Sequence, residues 1–185
     1  MQFVPASLAG VFRVVFDPAR DHRGYLSKPY EEKAFQAAGI DVTWRQIIFQ
    51  FTEHHNTVKG LHIQSAPFLE AKLITPVVGE VLWISVDLRR DSPTFMKHEK
   101  FKMYPGGPAV FVPRGFAHGG LYISDNSMLM IAADNYHSEP HGVGIAWNDP
   151  EIGIEWPLIP GEPIVIKDQH RDNPPLAAVR DRLGL

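Results

Sequence analysis

Apolar and polar positions change places every few residues along this chain, and turn-forming residues cut the pattern into short runs. Runs that alternate, or that are rich in β-branched and aromatic residues, cover Gly10–Phe16, Trp44–Phe51, Lys72–Val78, Glu80–Leu88, Lys97–Met103, Ala109–Val112, Gly120–Ile123, Ser127–Ala132 and Val143–Trp147. Glu80–Leu88 reads as a nearly buried strand entered through a turn at Pro76–Gly79. Helical signals are confined to two places. Tyr30–Ala38 follows a proline and stops at Gly39, and Leu176–Leu183 follows Pro174-Pro175. Many short strands at close spacing predict a mostly β barrel or jelly roll with a few short helices. No linker, repeat or low-complexity tract divides the chain, so one domain is expected over residues 1–185, with a helical tail at 170–185.

Composition narrows the classes of function. A net charge of −3 and a pI near 6.3 give no reason to expect nucleic acid or an anionic membrane as partner. The absence of cysteine excludes disulfides, thiolate catalysis and cysteine zinc sites, and suits a reducing compartment. The start, MQFVPASLAGVFRV, lacks the basic region and long apolar run of a secretion signal, and no stretch approaches the roughly 18 apolar residues of a membrane helix. A cytoplasmic protein is expected.

Two stretches carry chemistry. In KGLHIQ (Lys59 to Gln64) a histidine stands between Leu61 and Ile63, in a chain otherwise patterned for burial. In FVPRGFAHG (Phe111 to Gly119), Pro-x-Gly-x-x-His follows a β run. The second resembles a motif of the cupins, double-stranded β-helix barrels. Metal-binding cupins carry His-x-His where this chain has His62-Ile63-Gln64, and an amide is a poor ligand for zinc or iron, so no metal is expected.

Taken with DHRGYL (Asp21 to Leu26), AKL (Ala71 to Leu73), VDLRRDSPTF (Val86 to Phe95), WNDPEIGIEWP (Trp147 to Pro157) and IKD (Ile166 to Asp168), these stretches form an ordered set over about residues 8 to 170. The set resembles the dTDP-4-dehydrorhamnose 3,5-epimerases, cupin-like jelly-roll enzymes of nucleotide-linked 4-keto-6-deoxy sugars. The resemblance implies a catalytic base at His62, oriented by Asp168, and Lys72 as the cation beside the C4 oxygen. It implies substrate contacts from Arg23, Gln46, Lys59, His118 and Tyr136, no cofactor, and a homodimer that exchanges N-terminal strands. The chemistry is coherent: a C–H beside a ketone is acidic only if the enolate is stabilised, so a base, an oxyanion partner and an acid on the opposite face are all needed.

Three departures fall inside the implied site. Met130 stands where the resemblance places a proton-donating tyrosine, and a thioether donates no proton. Trp83 replaces an aspartate beside the second histidine, and Ile48 an asparagine. The base half of the machinery is present and the acid half is missing. The expected function is therefore a 3-epimerase, or a 3,5-epimerase with weakened second-centre inversion, in deoxysugar or surface-polysaccharide biosynthesis. The alternatives are a catalytically degenerate nucleotide-sugar-binding cupin and a sugar ketoisomerase working with one base.

Overall fold

The computed structural model describes residues 1–185. In chain order the strands are β1 (Gln2–Pro5), β2 (Phe12–Val15), β3 (Ala19–Asp21), β4 (Gly24–Leu26), β5 (Gln46–Thr52), β6 (Thr57–Gln64), β7 (Lys72–Val78), β8 (Val81–Asp87), β9 (His98–Met103), β10 (Ala109–Val112), β11 (Phe116–Tyr122), β12 (Ser127–Ala133) and β13 (Gly142–Gly144). The helices are α1 (Glu32–Ala37), α2 (Asp168–Arg171) and α3 (Leu176–Leu183), with a 3₁₀ turn at Glu139–His141. The mostly β jelly roll expected from the pattern is what the chain forms. Helix α3 keeps its expected bounds and ends at Gly184, whose φ of +70° closes the helix in the left-handed conformation.

One sheet runs β1-β2-β10-β7-β12-β5 and the other β13-β6-β11-β8-β9; β3 and β4 form a separate hairpin. The inner faces enclose a core of Leu8, Val11, Ile74, Trp83, Phe101, Val110, Leu129 and their neighbours. Each outer face has its own cover. Helix α1 puts Phe35, 1% exposed, against Phe111 and Phe3 on the first sheet and Trp44 in the loop before β5. Helix α3 lays Leu176 and Val179 on Leu61, Ile63, Ile84 and Val86 of the second. A strand buried on both faces cannot alternate cleanly in polarity, which is why β7 and β8 read as near-continuous apolar runs.

Strand β6, which carries His62, has no such signature. In its sequence TVKGLHIQ, Leu61 and Ile63 pack toward α3 and alternate with His62 and Gln64, which line a cavity between the sheets, and a bulge at Gly60–Leu61 brings Lys59 onto the same cavity wall. The bulge interrupts the alternation and the inner face is polar, so the run lacks the apolar signal of a strand. Glycine makes its close approach to β11 possible. Gly60 has φ +108°, and a Cβ there would lie 2.6 Å from the Cα of Gly119. The β6/β11 register slips between His118 and Gly120, and in that register His118 stands directly opposite His62.

Gly60→Ala should therefore destabilise the fold by about 2–3 kcal/mol, through backbone strain and collision with β11. Gly106→Ala, at a φ of +77° with nothing near its Cβ, should cost only about 1 kcal/mol. Urea denaturation of the two variants measures the difference.

Candidate active site

The cavity between the sheets has a volume of about 550 Å³ and brings together His62, Lys72 and His118. The inward positions form rows across the first sheet. Gln46, Lys72 and Ala133 make one, Ile48, Ile74 and Ile131 the next. His62 and His118 face them from the second sheet. A pair of stacked sheets packs about 10 Å apart, which suits a small ring held between these two walls.

Lys72 is the electrostatic centre. Its Nζ lies 2.7 Å from Glu70 Oε1 and 2.6 Å from His118 Nε2, and its side chain is 13% exposed. Burial pushes the Lys72 ammonium below its ordinary pKa while Glu70 pulls it back up. Burial first, then the Lys72 and His62 charges, holds His118 well below the usual histidine range. His118 is thus a neutral acceptor for Lys72. An ammonium has three protons, and these contacts use two. Trp83 stacks on the His118 ring, with centroids 5.4 Å apart and an interplanar angle of 11°. That indole fixes the plane of the imidazole in the place of a carboxylate.

Gln64 holds the lip of the cavity. Its amide nitrogen donates to the carbonyls of Phe68 and Tyr136, and its oxygen accepts from Ser138 N. With those bonds made, the amide is a structural clamp. Lys72 already occupies the space between Glu70 and His118.

Several residues lie elsewhere than the sequence suggested. Asp168 makes no contact with His62: it is exposed at the start of α2, and His62 Nε2 lies 3.1 Å from Nε2 of His170 instead. On a one-turn helix, positions i and i+2 do not share a face, so only one of Asp168 and His170 can turn toward β6. Met130 is displaced as well. Strand β12 alternates, and Ile131, not Met130, lines the cavity; Met130 stands in register with Phe49 and Thr75. A shift of one residue moves a side chain to the other face of a sheet. The residue of β12 that does line the wall there, Ile131, supplies no proton either.

Tyr136 is 59% exposed and outside the cavity, while the next residue, His137, lines it. Gln46 follows the inward parity of β5 but spends its amide on Asn135 O at 2.7 Å. Lys59 does line the cavity, with Nζ donating to Phe51 O at 3.2 Å and lying 5.0 Å from the centre of the Tyr122 ring. Burial lowers its pKa. Arg23 sits on the exposed β3–β4 hairpin, paired with Asp21 at 2.6 Å, and takes no part in this wall. His137, Glu139, Asn173 and His170 are lining residues that sequence reasoning missed; none belongs to a motif, and their sole signal is proximity to one.

Comparison with known proteins decides the family. The sequence model of the dTDP-4-dehydrorhamnose 3,5-epimerases matches residues 5–178. The chain belongs to that family. It is 34% identical over 152 residues to the dTDP-4-dehydrorhamnose 3,5-epimerase of Shigella flexneri, covering 78% of this chain and 82% of that one. Its fold superposes on the rmlC epimerase of Mycobacterium tuberculosis with a TM-score of 0.91 at 27% identity, over 98% and 91% of the two chains. It superposes on ChmJ, a 3'-monoepimerase from Streptomyces bikiniensis in complex with dTDP-quinovose, with a TM-score of 0.86 at 28% identity, over 98% and 90%. The cupin-like fold and the epimerase class expected from the motifs both stand. No helix is long and apolar enough to cross a membrane.

The pocket histidines make stability pH-dependent. Burial, then His170 and the nearby Lys72, Lys167 and His137, lowers His62 to about 4. The unfolded chain takes up a proton near pH 6.5 that folded His62 refuses until about pH 4, so folding stability should fall as pH drops through that window. One such group contributes a slope approaching about 1.4 kcal/mol per pH unit. Urea unfolding at pH 7, 6 and 5 should show the decline, and His62→Gln should make it shallower.

Proposed function

We propose that this protein is a 3-epimerase of a dTDP-linked 4-keto-6-deoxy sugar, with inversion at C5 weak or absent. The observation that carries this reading is the Lys72 ammonium, held by Glu70 and His118 with one proton free, in a cavity whose opposite wall presents His62. His62 removes the proton beside the ketone. The electron pair moves into the C4 oxygen, and the free Lys72 proton donates a hydrogen bond to that oxygen. A preorganised donor of this kind, in a site shielded from water, usually makes the largest single contribution to rate. Return of a proton to the far face is the weak step, because Ile131 offers none and its row, Ile48–Ile74–Ile131, is apolar. Losing a placed general acid generally costs about 10²–10⁴ in rate. C5 inversion needs the same far-face donation a second time and suffers most.

A binding module without catalysis is the second reading. It is favoured by a base with no carboxylate partner and by the Trp83 and Ile131 substitutions. Calorimetry with dTDP separates the two: tight binding without solvent exchange would support the binder.

Assembly and location extend the proposal. Strand β5 is the last strand of its sheet and exposes Ile47 at 58%, Phe49 at 64% and Phe51 at 47%. An uncovered edge with three large apolar side chains favours a homodimer. Arg23, on its free hairpin, then serves the partner's cavity. Lys59 stays with its own cavity and pairs with the diphosphate. A chain free of cysteine suits the cytoplasm.

In D₂O with dTDP-4-keto-6-deoxyglucose, NMR should show deuterium entering at C3 faster than at C5, and His62→Ala should lower the C3 rate by about 10²–10⁴. Exchange at neither carbon overturns the epimerase reading. Ile131→Tyr, which restores a phenol to the cavity wall, should raise C5 exchange relative to C3. Mixing Arg23→Ala with His62→Ala subunits should restore part of the activity that each lacks alone; no recovery removes the shared site.

A further inference from the structure

We infer that His170 is the positioning residue of this site: it accepts a hydrogen bond from His62 Nε2–H and so leaves His62 Nδ1 as the basic nitrogen. The inference deepens the epimerase reading of the cavity and rests on it for its consequence in catalysis.

The geometry of the pair comes first. The two Nε2 atoms are 3.1 Å apart, the ring centroids 4.4 Å, and the rings meet at 71°. Two neutral imidazoles at that distance share one proton, so one must donate and the other accept. The choice sets the tautomer of His62. If His62 donates, its Nδ1 is bare and can take a proton from carbon: the C–H bond breaks, an N–H bond forms at Nδ1, and the electron pair passes to the oxygen beside Lys72. The resulting imidazolium still donates to His170. Were His170 the donor, both nitrogens of His62 would be occupied and the ring would be no base.

The fold seats His170 deliberately. Upstream, Val58 N donates to Val165 O and Val165 N to Asn56 O, at 2.9 and 3.1 Å. Downstream, Ala146 N donates to Pro174 O at 2.8 Å and Leu176 N to Asp149 Oδ2 at 2.7 Å. Helix α2 is thus pinned on both sides. Gly144, the ladder partner of His62, leaves room for it: a Cβ there would meet Asn173 Oδ1 at 2.3 Å. The second ring nitrogen, His170 Nδ1, is buried without a hydrogen-bond partner. Nothing else in the fold employs this side chain, so contact with His62 is its one polar use.

The charges around the pair define what an imidazole does there that a carboxylate would not. His62 faces Lys72, Lys167, His137 and His170; His170 faces Lys167 and Lys59. Glu70 is taken up by Lys72, and Glu139 lines the cavity without touching either ring. Asp168 is turned to solvent. A neutral acceptor orients His62 without stabilising its cation, and the base stays unprotonated far into the acid range.

The test follows His62 in the protein without substrate, by ¹⁵N NMR of wild type, His170→Asp, His170→Gln and His170→Ala across pH 4–8. Wild type should show His62 protonated at Nε2 and bare at Nδ1. His170→Asp should raise the His62 pKa by at least one unit and move the acid limb of C3 exchange upward with it. His170→Gln, which retains an acceptor, should keep the tautomer. His170→Ala should lose it and lower kcat for exchange about 10²-fold with KM little changed. An unaltered His62 tautomer and titration in both His170→Asp and His170→Ala overturns the pairing, as does a wild-type His62 protonated at Nδ1. If the NMR changes appear while no dTDP sugar exchanges, the pairing stands and the epimerase reading falls.

Discussion

Burying an ammonium in the wall of a β sandwich is costly unless its charge and its hydrogen bonds are met, and the pocket is organised around how Lys72 meets them. Glu70, two residues earlier, supplies the counter-charge, and His118, from the other sheet, supplies a lone pair. That second contact obliges β11 to place His118 within reach of β7. The Gly60–Gly119 approach and the register slip beside it put His118 directly opposite His62. One buried cation therefore fixes three of the polar groups in the cavity. It adds to the burial that already holds both histidines below the usual range, since each would otherwise carry a like charge near Lys72.

Most of the sandwich was legible from periodicity because its strands have apolar inward faces. Strands β7 to β10 and β12 came close to their bounds, and α3 matched because prolines precede it and a glycine ends it. Strand β6 was invisible to the same reasoning for the reason it matters: its inner face is Lys59, His62 and Gln64. The short β1, β3, β4 and α2 escaped because, unlike the equally short but wholly apolar β10, their few residues are polar or mix polar and apolar positions without a pattern. Motif spacing carried His62, Lys72 and His118 into one cavity, since each sits on a strand whose register the barrel fixes.

The residues that sequence misplaced share a physical cause. Met130 and Ile131 differ by one step on a strand, and Asp168 and His170 by two on a helical turn; in both cases the neighbour faces the other way. A linear motif specifies the segment, whereas the facing side chain depends on a phase that only packing sets. For β12 the phase comes from Ile131 entering the row with Ile48 and Ile74, and for α2 from Gly144 admitting Asn173.

The substitutions in the wall then have one direction in common. Trp83 stands on His118 where an aspartate was expected, His170 on His62 where another was, and Ile131 where a phenol was. Each exchanges a group that would stabilise a second proton, or deliver one, for a group that does neither. What survives is one cation, aimed where an enolate oxygen would form, and one neutral base across from it. On the proposed reading, such a wall speeds removal of a proton and its return to the same face alike, and supplies nothing to deliver one to the far face. A ring held against it as proposed would exchange its most exposed acidic hydrogen readily and would invert only where a proton reaches the far face by another route. On that reading, the absence of acid groups biases the reaction toward a single centre without any change in the fold that presents it.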